Sequence, residues 1–376
     1  MRFAPTEDQL EFAAAVRALL QDTCDIDALR RAWGGEVGAH TAVTDGAGHG
    51  DGRVRPAWEA LTEMGVLGLT VPEAHGGLGM GDDDLVGILV ECGRAGLPDP
   101  VADTAGVAAA VLSAVAGGGA AGGEAAAAWL ERIAGGASVV VGFGPSPLVA
   151  GAGTADAVLV FSGDPVSGAQ AGAPAAYLLD PAGPGAPGPG ITAVESVDGA
   201  RALARVSWSP EPAAVLAEGA AAAQLEATAF DRAAVLQAAL LVGLSTRMLE
   251  MTVEYVGERR QFGVPVGSFQ AVKHQLADAA LGVEFAEPLV RYAAHLLDPA
   301  RGAAPADVAV AASMAKSRAS RAAVAASEAA LQCHGAIGYT VEADLHLFMK
   351  RAWALARSHG DADWHLGRVR RHLLAP

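Results

Sequence analysis

The hydrophobic period of this 376-residue chain changes twice, and that alone restricts its architecture. Up to about residue 134 apolar residues recur at helical spacing, as in Leu10, Ala13, Val16, Leu19 and Leu20, and again in Trp58, Leu61, Met64 and Leu67. From Ser138 short β-prone runs take over: Val139–Phe143, Ala157–Phe161, Ala175–Leu179, Ile191–Val194 and Ala204–Trp208. From Ala220 helical spacing returns. Leu236, Leu240, Leu244, Met248, Met251 and Tyr255 form one long stripe, and further helices are expected over about 306–330 and 343–357. Glycine-rich Gly34–Gly52, the turn Val71–Gly79 and the Gly/Pro segment Asp180–Gly190 read as loops. In the Ala/Gly run from Ala114 to Ala128 the glycines read as a loop and the Ala-rich end, through Trp129 and Leu130, as helix. The pattern predicts a mainly α protein with a small antiparallel β domain. Its three parts are a helical domain over 1–134, a reduced β domain over 135–219 and a helical bundle over 220–376.

A formal charge of −16 lacks the basic footprint of general nucleic-acid binding. No run approaches the ~18 consecutive strongly apolar residues of a membrane span, and the first residues lack a signal peptide's basic start and apolar core. They read as a helix entry with Thr6 as N-cap and Glu7 and Asp8 in the first turn. Cys24, Cys92 and Cys333 are far apart in the chain, which fits a reducing, cytoplasmic setting without disulfides or a zinc site. The histidines show no metal-binding pairing, and Asp361-Ala-Asp363 with His365 lacks the glycine and terminal Glu of a calcium loop, so no metal is expected. Asp82-Asp-Asp84 reads as the acidic start of a helix.

Two stretches interrupt the C-terminal helical text with polar, aromatic and glycine residues. They are Tyr255-Val-Gly-Glu-Arg-Arg-Gln-Phe-Gly-Val-Pro-Val-Gly-Ser-Phe-Gln270 and Gln332-Cys-His-Gly-Ala-Ile-Gly-Tyr-Thr-Val-Glu342. Taken singly, each reads as an ordinary helix end. Together they closely resemble the flavin-binding signatures of the acyl-CoA dehydrogenase family, and the resemblance spans nearly the whole chain. It implies that family's fold: an N-terminal helical domain, a middle β-barrel-like domain and a C-terminal four-helix bundle. It also implies FAD as cofactor, held at its ADP arm largely by a neighbouring subunit. A diphosphate calls for arginine or backbone amides, and adenosine for polar side chains. The matching positions are Arg259, Gln261, Phe262, Gly263 and Gln270 in the first stretch, with Gln332, Gly335, Gly338, Tyr339 and Glu342 in the second. Ala336 stands where the family has the second of two glycines. Gly76-Gly-Leu-Gly79 resembles a turn of the family's N-terminal domain and follows no strand, so it is not a dinucleotide fingerprint. The implied substrate is an acyl-CoA or acyl-carrier thioester, the implied assembly a homo- or heterotetramer with a related subunit, and the implied electron acceptor an electron-transfer flavoprotein.

Removing an α proton from a thioester needs a positioned base in a dry pocket. In the family that base is a Glu at one of two positions. Ungapped counting places the first on His359, in Ser358-His-Gly-Asp-Ala-Asp363, and the second on Ala233, followed by Ala234 where the family has an arginine. Asp231, which in relatives lies near the acyl-CoA, is retained. Three readings stay open. In the first, a neutral His359 imidazole is the base, with Asp361 close enough to orient it. In the second, the chain is a partner subunit whose own site has decayed. In the third, the scaffold hosts flavin oxygenase chemistry, which needs no such base. An FAD-free interaction protein is the remaining alternative. The stretch Val141–Val149 has no counterpart of the family's Thr-Glu-Pro-x-x-Gly-Ser segment, which favours the partner-subunit reading.

Overall fold

A computed structural model of the chain describes residues 4–34, 51–118, 122–170, 172–181, 189–209 and 214–374. Most of the two expected loops at Gly34–Gly52 and Asp180–Gly190 lies outside the described residues. The helices are α1 (Glu7–Thr23), α2 (Ile26–Ala32), α3 (Arg55–Glu63), α4 (Asp82–Ala95), α5 (Ala109–Gly117), α6 (Gly123–Ala134), α7 (Gly219–Glu258), α8 (Gln270–Glu284), α9 (Glu287–Leu297), α10 (Pro305–His334), α11 (Leu345–Arg357) and α12 (Ala362–Leu373). The strands are β1 (Val139–Phe143), β2 (Leu148–Ala150), β3 (Ala157–Phe161), β4 (Ala175–Leu179), β5 (Gly190–Ala193), β6 (Leu203–Ser207), β7 (Ala214–Glu218), β8 (Arg260–Gln261) and β9 (Val264–Pro265). Thr6 caps α1 as expected. Its hydroxyl accepts from Gln9 N at 3.2 Å, and the Gln9 side chain accepts from Thr6 N at 3.0 Å, a reciprocal capping box.

The chain divides into two compact units, one of residues 31–85 and 98–233, the other of residues 1–30, 86–97 and 234–376. The first holds the strands β1 to β7. They form two sheets, in the order β1-β3-β4-β7 and β2-β6-β5. The expectation of a purely antiparallel domain needs correction here, because β1 and β3 run parallel, Val139 opposite Ala157. After β1 the chain crosses to the second sheet to make β2 before returning as β3, and such a crossover restores the original direction. The remaining pairings are antiparallel. Val140, Val149, Val158, Val160, Leu179, Ala204 and Val206 fill the interior, with Tyr177 and Trp208 packed at its margin. In the same unit Arg53 donates to Asp99 at 2.7 Å with both side chains out of solvent, and Asp99 also accepts from Val54 N. Between α4 and α5 residues Ala102–Ala108 take the wider π-helical winding, a feature that helical periodicity cannot foresee.

In the other unit α10 is the central helix, packed against α8, α9, α11 and α12. Its buried face is nearly all small: Ala311, Ala312, Ala315, Ala319, Ala322, Ala323, Ala326 and Ala330. Small residues let four neighbours approach one helix closely, which is why an alanine-rich stretch of modest hydropathy can be a core element. Gly93 of α4 and Gly243 of α7 work the same way. A Cβ on Gly93 would strike Leu240 O, and one on Gly243 would strike Val90 O, so the two backbones cross in contact. The most apolar window of α7 has a mean hydropathy of 1.4, long and apolar enough to cross a membrane, but 83% of it is buried, as in the core helix of a folded bundle.

Candidate functional site

The first motif folds as a hairpin at the end of α7. Arg260 pairs with Pro265 and Gln261 with Val264, leaving Phe262 and Gly263 as a two-residue turn. Both have positive φ, +53° and +83°, the signature of a type I′ turn, for which Asn-Gly is the usual choice. A phenylalanine there is strained, and its ring is 93% exposed, touching Phe269 edge-on at 6.3 Å. Strain and exposure together are uneconomical for folding and mark a surface shaped for something else. Arg259 and Gln270, either side of the hairpin, are exposed as well. No carboxylate engages Arg259 among the described residues.

The second motif begins in the last turn of α10. Gln332, Gly335, Ala336, Tyr339 and Glu342 are all exposed, while Gly338 is packed against His334 and Leu331. Gly335 has φ +64° and ψ −140° with open space where a side chain would stand. Only glycine adopts that backbone readily, and it leaves the peptide accessible to a ligand. The two motifs meet where the rings of Tyr255 and His334 stack with centroids 4.4 Å apart. His334 Nδ1 donates to Ala330 O at 2.8 Å, and burial pushes the imidazole below its ordinary range despite that bond. An uncommitted arginine, a glycine peptide open to contact and exposed glutamines are the donor set that a diphosphate and an adenosine require, so these residues fit the ADP arm of FAD.

His359 lies in the turn between α11 and α12. It is half-buried and left-handed, with φ +54°. The Asp361 carboxylate accepts from Trp364 N at 2.8 Å and caps α12. Gly360, with φ +86°, leaves no room for a Cβ, which would sit 2.7 Å from the Trp364 ring. Three buried groups hold this turn. Lys316 donates to Ala356 O, Gly360 O and Ser320 Oγ at 3.0, 3.1 and 3.1 Å. His365 Nε2 donates to His359 O at 2.8 Å, which leaves Nδ1 to accept from Ser313 Oγ at 3.1 Å. Burial, and then the Lys316 charge, push His365 down to about 3.

In the other unit, Asp231 is buried in α7, next to Arg232, which pairs with Asp82 at 2.8 Å. Ala233 is buried too. Phe143 at the end of β1 stacks on Phe161 at 5.2 Å and meets Phe230 edge-on at 5.5 Å. Sequence reasoning passed over Asp103. It sits in the π-helical turn and accepts from Val141 N at 3.2 Å, and burial pushes it up to about 6 against that bond and the Arg201 charge. Nothing in its sequence context marks it. Lys316 is likewise hidden, as a residue of helical text whose partners are distant in the chain. Among the described residues no group of three or more His, Cys, Asp or Glu side chains could hold a metal.

Two family models match the chain. Residues 6–137 match the acyl-CoA dehydrogenase N-terminal domain, and residues 219–374 match the acyl-CoA dehydrogenase C-terminal domain. The chain is 32% identical over 311 residues to acyl-CoA dehydrogenase IpdE2 of Mycobacterium tuberculosis, covering 81% of each. Among solved structures, the ChsE4-ChsE5 complex from Mycobacterium tuberculosis is similar with a TM-score of 0.74 at 23% identity, covering 100% of both chains. Butyryl-CoA dehydrogenase from Megasphaera elsdenii is similar with a TM-score of 0.74 at 20% identity, again covering 100% of both. At such identities the two structures speak for the fold.

Proposed function

The chain belongs to the acyl-CoA dehydrogenase family, and on that premise we propose that it takes part in α,β-dehydrogenation of an acyl thioester as one subunit of a homo- or heteromeric assembly. The family makes it a flavoprotein oxidoreductase with FAD as cofactor. The observation that carries the assembly reading is the exposure of the whole ADP-binding set. Arg259, Gln261, Phe262, Gln270, Gln332, Gly335 and Ala336 all face solvent in the single chain. A cofactor arm bound only there would stay wet and weakly held, so these residues serve best when an adjoining subunit covers them. The ChsE4-ChsE5 complex, similar in fold, pairs two different chains and supports a heteromer.

When bound, FAD supplies the acceptor for the β hydride. The chain's own residues then divide the rest of the work. Arg259 and the Gly335 peptide hold the diphosphate, and Gln332 and Gln270 hold the adenosine side. His359, at the family's base position, takes the α proton on a ring nitrogen, so the substrate loses one proton and one hydride and gains a Cα=Cβ bond. Asp231 is the candidate acyl-CoA contact, by its match to a family position. A neutral imidazole has one unprotonated ring nitrogen that can accept the proton. Electrons leave to an electron-transfer flavoprotein in this reading, and the protein works in the cytoplasm.

The test is purification of the chain alone and together with a related dehydrogenase subunit, followed by flavin absorbance and anaerobic bleaching with a panel of acyl-CoA thioesters. The reading expects stoichiometric FAD and bleaching in at least one of the two preparations. Absence of flavin from both would defeat it. Bleaching by the chain alone would select the homomer, and bleaching only in the mixture the heteromer.

A further inference from the structure

The turn that carries His359 is built more rigidly than a surface loop requires. Lys316 is fully buried, and a lysine out of water is costly unless each ammonium proton has an acceptor. Here the acceptors are one hydroxyl and two carbonyls. Ala356 O belongs to the last turn of α11, where carbonyls lack helical partners and the helix dipole is negative, so the ammonium acts as a side-chain cap. Gly360 O is the second acceptor, four residues on. His365 fixes the carbonyl between them, that of His359, and its other nitrogen is fixed in turn by Ser313, three residues before Lys316 on α10. Ser317, next to Lys316, donates to Ala362 O at 2.9 Å. From Ala356 to Ala362, α10 and α12 thus hold four backbone carbonyls, and the turn's two left-handed residues are His359 and Gly360.

We propose that Lys316 and His365 are positioning residues whose task is to hold the His359 backbone in its left-handed conformation, so that the imidazole is presented in one orientation to the thioester's α carbon. The inference rests on the proposed dehydrogenation, and it adds a claim about what makes a histidine workable where the family has a glutamate. An imidazole is shorter than a glutamate side chain and has fewer torsions, so its reach is set by the backbone that carries it. A base misplaced by about 1 Å loses on the order of a hundredfold in rate. Fixing the carbonyls of residues 356, 359, 360 and 362 removes the freedom through which such misplacement would occur. An uncapped turn at the end of α11 would fray instead.

The experiment uses the FAD-loaded assembly and the variants Lys316→Met, Ser313→Ala and His359→Ala. Lys316→Met is expected to lower kcat at least tenfold with KM within twofold and flavin content unchanged. In the His359→Ala background the same change is expected to cost less than twofold, since a base that is absent cannot be misplaced. Ser313→Ala keeps every charge and is expected to broaden or split the His359 imidazole signal in heteronuclear NMR, a readout independent of turnover. Equal losses from Lys316→Met with and without His359 would overturn the proposal. So would a His359 signal unchanged in Ser313→Ala, which remains decisive if the lysine variant does not fold. If the wild-type assembly bleaches with no thioester, the proposed reaction is wrong, while the NMR comparison still judges the positioning by itself.

Discussion

The rings of Tyr255 and His334 lie parallel within 11°, and through them the end of α7 meets the end of α10. The residues four after Tyr255 and two before His334 are Arg259 and Gln332, so this contact brings together two motifs separated by about sixty residues of chain. An offset pair of this kind contributes about 0.5–1.5 kcal/mol beyond its buried area. Its larger effect is geometric, because it gives the two halves of the proposed ADP-binding surface a common frame.

Arg259→Ala should weaken FAD binding by about 1.5–3 kcal/mol, the worth of a charge-assisted hydrogen bond, or roughly 10–100-fold in Kd. Arg259→Lys should recover only part of this, since a lysine lacks the planar fork that matches two phosphate oxygens. Flavin fluorescence titration reads both. An alanine variant with wild-type affinity would remove Arg259 from the site.

Phe262→Gly separates folding from function. The left-handed phenylalanine costs about 1–2 kcal/mol, and the glycine returns about 0.5–1 kcal/mol of that in unfolded-chain entropy. Losing the edge contact with Phe269 offsets much of the remainder. The melting temperature should therefore shift little, while flavin retention or subunit association falls. A drop of many degrees would show that the ring is structural.

His365 makes a prediction about acid. Its folded value, about 3, is depressed below the unfolded ~6.5, so the unfolded chain binds the extra proton first. The stability it contributes is present in full above about pH 6.5 and is lost as pH falls toward 3. At pH 5 the loss is about 2 kcal/mol by linkage. Denaturant midpoints between pH 7 and 5 should fall accordingly. The His365 ring should stay in its Nε2–H form down to about pH 4 by NMR, and protonation near pH 6 would refute the buried placement.

Asp103 acts in the opposite sense. Its folded value, about 6, is raised above the ordinary carboxylate range, so folding favours the protonated form. The stability it contributes is present below about pH 4 and is lost as pH rises through 6. Asp103→Asn can still accept from Val141 N, and it should be more stable than the wild type above pH 6.5 by about 2 kcal/mol. If the variant melts lower at pH 7, the carboxylate has a charged partner stronger than Arg201.

The helical and β segments were legible because period 3.6 and period 2 are local properties. The long apolar stripe from Leu236 to Tyr255 lies in α7, and the runs from Val139 to Trp208 carry β1, β3, β4, β5 and β6. The two motifs that resemble the family's flavin-binding signatures are legible too, since glycines, an arginine and glutamines at fixed offsets are a local chemical statement. What stayed hidden depends on partners distant in the chain. The parallel pairing of β1 with β3 needs the path through β2, and the strain at Phe262 appears only once the hairpin closes. Lys316 reads as one more polar residue of an alanine helix until the chain returns and sets Ala356 O and Gly360 O against its Nζ. The amino-acid order determined which segments are helix or strand and where the two family-like motifs fall. Tertiary structure alone decided which polar groups lose water together, because the energy of a buried charge depends on neighbours that no local stretch of sequence contains.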